Sequence, residues 1–133
     1  MSLQNQLVIF DFANGQVQVR LEGETVWLSQ AQMAELFGTS SDNISLHLKN
    51  IYKEQELQEA ATTEDFSVVR QEGKRQVQRQ VRHYNLDAII SVGYRISSEQ
   101  ATRFRQWATS VLRQHLTQGF TLNRQRFGQN ADE

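Results

Sequence analysis

The chain has 133 residues, enough for one compact domain and too few for two, and its 38% hydrophobic and 22% charged content is that of a globular protein. Without cysteine it has neither disulfides nor thiolate metal sites, which fits a cytoplasmic location, and the start MSLQNQLVIF lacks the features of a secretion signal or a membrane span. The net charge of −1 conceals an asymmetry: residues 1–69 hold three Lys/Arg against ten Asp/Glu, and residues 70–133 hold eleven against five, so the second half is where phosphate is expected to bind.

Leu7 to Phe12 is a short apolar run, Asn14-Gly15 signals a tight turn, and Val17, Val19 and Leu21 alternate with polar residues, which predicts a β-hairpin. Thr25 to Leu28 adds a brief strand. Two short helices follow, joined at Gly38. Ser29 caps the first, with Gln32 three positions on as in a capping box, and Met33, Ala34, Leu36 and Phe37 form its apolar face. Ser40 caps the second, which turns Ile44, Leu48 and Ile51 inward and leaves Ser41, Asp42, Asn43, Ser45, His47 and Lys49 outside. This is the pattern of a helix-turn-helix, whose second helix presents its N-terminal residues to base edges in the DNA major groove. A helical hairpin in an ordinary core gives the same pattern, Asp42 is unfavourable beside phosphates, and His47 reads either as a DNA contact or as a half-buried histidine.

The polar run after Ile51 finishes the second helix and becomes a loop. Ser67 to Arg70 and Arg75 to Arg82 then flank a polar turn at Gln71-Glu72-Gly73-Lys74, giving a second hairpin placed as a wing. It carries Arg70, Lys74, Arg75, Arg79 and Arg82, each able to neutralise a phosphate; the alternative is an exposed hairpin kept soluble by its charge. Asn85 caps the next helix, with Leu86, Ile89 and Ile90 inward and Gly93 at its exit. The longest helix starts at Ser97 and stacks Phe104, Trp107, Ala108, Val111, Leu112 and Leu116 on one stripe, ending at Gly119. A strand at Phe120 to Leu122 and a flexible tail at 123–133 complete the chain, so that 1–122 form a single domain.

The segments VWLSQAQMAELFG, NISLHLKNI, HYNLDAIISVGYRISSEQATRFRQWATSVL and GFTLN, in this order, resemble the virulence-associated RhuM family of bacterial proteins along nearly the whole chain. EGKRQVQRQVRHYNLD departs in detail from the family's usual sequence. The block FRQWATSVL, followed by a glycine and an aromatic, is more distantly similar to the N-terminal domain of phage antirepressor proteins. The resemblance implies a helix-turn-helix protein encoded on genomic islands or near mobile elements, and, because family members are usually longer, the N-terminal part of one.

The expected fold is α+β: a winged helix-turn-helix-like domain with an N-terminal β-hairpin, a basic β-hairpin wing and C-terminal helices. The expected function is sequence-specific binding of double-stranded DNA as a transcriptional regulator, through Ser40, Ser41, Asn43, Ser45, His47 and Lys49 on the second helix and Arg70, Lys74, Arg75, Arg79 and Arg82 on the wing. The apolar stripe of the helix from Ser97 to Gln118 suggests a homodimer, which would set two recognition helices about 34 Å apart. An antirepressor-like protein-interaction module is the alternative. His47, His83 and His115 lack metal-ligand spacing, and no phosphate loop or nucleophile signature is present, so no enzyme activity, cofactor or small-molecule ligand is expected.

Overall fold

The computed structural model describes residues 3–128, with side chains over 6–117. Its fold is α+β. Five antiparallel strands form one sheet in the order β1-β2-β3-β5-β4, where β1 is Leu3–Phe12, β2 Gly15–Gly23, β3 Thr25–Ser29, β4 Thr63–Glu72 and β5 Arg75–Asn85. The helices are α1 Gln30–Phe37, α2 Ser41–Lys53, the single turn α3 Glu59–Thr62, α4 Leu86–Ile96 and α5 Ser98–Gly128.

Alternation dictates the layering. Val17, Val19, Leu21, Val26 and Leu28 point to one face, where they are buried against Met33, Leu36, Ile44, Ile51, Ile89, Val92 and Phe104 from the helices. The other face is open, and Leu7 and Ile9 are 53% and 46% exposed on it. The first hairpin turns one residue earlier than expected, at Ala13-Asn14, since Phe12 pairs with Gly15. The second is longer at both ends than its apolar residues suggested, because pairing runs from Thr63↔Tyr84 to Glu72↔Arg75. Gly73 takes φ 63° at the first position of its two-residue turn, a conformation that glycine adopts without Cβ strain.

The helix caps formed as their sequence implied. Ser29 Oγ accepts from the Gln32 amide and Gln32 Oε1 accepts from the Ser29 amide, closing the capping box. Ser40, Asn85 and Ser97 hydroxyl or amide oxygens accept from the backbone N–H three residues on.

Two helix ends differ from expectation. Gly93 does not terminate α4, which continues to Ile96; it is buried at a close approach, where an added Cβ would stand 2.6 Å from Phe37 Cζ and 2.8 Å from Ala101 Cβ. Gly119 does not stop α5 either, because one glycine costs a long helix only about 1 kcal/mol. The strand anticipated at 120–122 and the first part of the 123–133 tail are therefore helical through Gly128, and 129–133 lie outside the described residues. Much of the α5 stripe is consumed by the chain's own core: Ala101, Phe104 and Ala108 are buried, with Trp107, Val111 and Leu112 packed against them. No helix among the described residues is long and apolar enough to cross a membrane.

Candidate nucleic-acid interface

The helical pair is set by its turn. Gly38 adopts the left-handed conformation (φ 65°), Thr39 and Ser40 complete a three-residue link, and the Thr39 amide bonds back to the Ala34 carbonyl at 3.0 Å. Gln30 ties the two N-terminal ends together, its Nε2 donating to the Ser41 carbonyl at 2.9 Å and to Ser41 Oγ at 3.1 Å.

With the stripe Ile44, Leu48 and Ile51 turned inward, successive residues advance by about 100°, so the line farthest from the core is Asp42, Leu46, Lys49 and Lys53. All four are exposed, Leu46 at 54%. Leu46 and Lys53 were absent from the expected set, although helical geometry alone places them there; Leu46 is easily passed over because it is apolar. Among the expected residues, Ser41 and Lys49 are exposed, whereas Asn43, Ser45 and His47 lie half-buried on the flanks. Asn43 is also engaged, Nδ2 donating to Thr39 Oγ1 at 3.0 Å, and the Ser40 hydroxyl is occupied by its cap. His47 has its Nδ1 enclosed without a hydrogen-bond partner. Asp42 has a local reason to be present, because a carboxylate in the first turn is favoured by the positive end of the helix dipole.

The β4–β5 ribbon is rooted by three pairs between β3 and β5, Trp27↔Asn85, Leu28↔Tyr84 and Ser29↔His83. On the open face, Phe66 meets both Trp27 and His83 edge-on, and the Arg20 guanidinium lies 4.6 Å over its ring. Beyond Phe66↔Val81 the ribbon is two-stranded and extends for six further residue pairs, about 17 Å.

Its five cations are not equivalent. Arg79 makes a forked contact with Glu72, at 3.0 Å from Nε and 2.8 Å from Nη2, which lowers the Glu72 carboxyl pKa and raises that of the guanidinium. Arg82 is held by Glu59 at 3.0 Å and Asp65 at 3.6 Å. Arg70, Lys74 and Arg75 form no ion pair among the described residues, and neither do Lys49 and Lys53 on α2. Arg70 and Arg82 line one surface cleft with Gln30, Ala31 and Ser41, so two of the ribbon's five cations meet the N-terminal ends of α1 and α2 on a common surface. Ser45, Lys49 and Tyr52 border the adjoining cleft with Glu59 and Tyr84.

The family model for virulence protein RhuM matches residues 61–133, more than half of the chain. The chain belongs to the virulence protein RhuM family. In this RhuM family chain the match begins in α3 and takes in the ribbon, α4 and α5, leaving the α1–α2 pair outside the matched residues. No curated protein and no solved structure matches it. Among the described residues, no group of three or more His, Cys, Asp or Glu is placed to hold a metal ion.

Proposed function

We propose that this RhuM family chain binds double-stranded DNA as a winged helix-turn-helix regulator, with α2 in the major groove and the β4–β5 ribbon as its wing. The observation that carries this reading is the cleft shared by Ser41 and Gln30 with Arg70 and Arg82. A helix N-terminus supplies unpaired amide donors and positive dipole, and cations beside it extend the same preference for phosphate across the surface. The topology contributes as well: β5 returns beside β3, the strand that leads into α1, and so brings the ribbon alongside α2.

Duplex binding followed by fluorescence anisotropy tests it. The five unpaired cations Arg70, Lys74, Arg75, Lys49 and Lys53 give an expected log–log salt slope of about −4.5. Arg70→Ala lowers that slope by about one unit on every sequence, whereas Arg82→Ala lowers it less, because Glu59 and Asp65 already neutralise that guanidinium. Absence of binding at low salt rejects the proposal.

A second reading, an antirepressor-like protein-interaction module, is favoured by Leu7 and Ile9 on the open face of the sheet, where nothing among the described residues covers them. It predicts association that is indifferent to DNA and survives salt. We also propose that the chain pairs as a homodimer through the part of α5 that follows Leu112.

A further inference from the structure

We propose that the β4–β5 ribbon reads base edges itself, through an uncharged glutamine face, in addition to neutralising phosphates; this rests on the DNA-binding reading above. The register separates the side chains of the two-stranded part into two sets. Residues directly opposite each other share a face, and faces alternate along each strand. One face carries Arg70, Glu72, Arg75 and Arg79 with Val68 and Val77 between them. The other carries Ser67, Val69, Gln71, Gln76, Gln78 and Gln80, with no charge among them. The contacts follow this division: Arg79 reaches Glu72 on the first face, and Gln80 Nε2 donates to Ser67 Oγ at 2.7 Å on the second.

A soluble arm gains most from charge on both faces, as edge strands commonly show. Here the six outer pairs confine the charge to one, and the nearest charged pair on the glutamine face is Asp65↔Arg82 at the ribbon's root. Phosphate contacts fix position and affinity but carry no sequence information, whereas a primary amide offers a donor and an acceptor on one rigid plane, the pair that adenine N7 and N6 complement. Gln76 and Gln78 are exposed, and neither makes a side-chain hydrogen bond among the described residues. Val69, 60% exposed opposite Gln78, presents methyl groups of the kind that pack on the thymine C5-methyl. A two-stranded ribbon also has the width that a DNA groove admits, and arginines on the reverse face are long enough to bend toward the phosphates on either wall. The occupant is therefore duplex DNA, its A·T pairs facing the glutamines and its backbone facing the cations.

The test is selection of bound duplexes from a random-sequence pool by the full chain, followed by sequencing. The variants are Gln76→Ala with Gln78→Ala, the same two positions changed to Thr as a strand-favouring control, and Ser41→Ala with Ser45→Ala on α2. Both glutamine variants are expected to lose about tenfold of the discrimination for A·T pairs at one block of positions, distinct from the block altered by the α2 variant. Their salt slope on bulk DNA stays that of the wild type. An unchanged preference profile in the glutamine variants, or a uniform loss on all sequences, overturns the inference and leaves DNA binding standing. A wild-type chain that retains no duplex overturns both.

Discussion

Burial at the root of the ribbon pushes the His83 imidazole below its ordinary pKa of 6.5, and the nearby Arg20 guanidinium acts in the same direction. Its Nδ1 lies 2.8 Å from the Val81 carbonyl, so the neutral tautomer that protonates this nitrogen donates there. A base whose pKa is depressed by folding stabilises the native state above its unfolded pKa. That contribution is lost as pH falls from about 6.5 through the lower folded value, because the unfolded chain takes up the proton first. Thermal melts should therefore show the wild type losing stability as pH drops below about 6.5, while His83→Gln has a flatter profile over that window. Parallel profiles would mean that His83 titrates freely in the folded chain. Alternation along β5 sets His83 on one face with Val77, Arg79 and Val81. Its burial depends on Phe66, seventeen positions earlier, and no periodicity within β5 announces that contact.

Among the elements, the local ones were readable and the joints between them were not. Caps reveal helix starts because Ser29, Ser40, Asn85 and Ser97 bond to amides three residues away, an interaction contained in the sequence window itself. A glycine in a helical pattern reads as a stop when only the local sequence is considered. Gly38 is one, in the left-handed conformation, but Gly93 has helical backbone and is there for space. Gly93→Ala sets a helix-propensity gain of about 1 kcal/mol against overpacking of about 1–3 kcal/mol. The clash should win, since Phe37 is 6% exposed and Ala101 is wholly buried. A lower urea midpoint with unchanged slope is the expected result; a raised midpoint would show that α1, α4 and α5 separate easily. The same blindness to long-range pairing concealed the single sheet, because three residue pairs between β3 and β5 join two hairpins that each look complete in sequence.

At the scale of the molecule, the charge asymmetry of the sequence proves coarser than the surface it suggested. The basic half does carry the ribbon's five arginine and lysine side chains, yet two of them are answered by Glu72, Glu59 and Asp65, the last two from the acidic half. The apolar stripe of α5 divides in the same way between the chain's own core, which takes it as far as Leu112, and what lies past that residue. If pairing through that second part is real, light scattering at micromolar concentration gives a mass near twice 15.4 kDa, and Leu116→Glu, at a half-buried position, returns it to one chain. A wild-type monomer on and off DNA would refute it. One continuity ties these parts together. β5 runs unbroken from Arg75 beside the turn to Asn85, which pairs with Trp27 and accepts from the Ala88 amide at 3.1 Å to start α4. The ribbon is thus the long arm of a lever whose fulcrum is the short contact with β3 and whose short arm is the first turn of α4. A force on its tip is delivered by covalent backbone into the helix that Gly93 presses against α1 and α5.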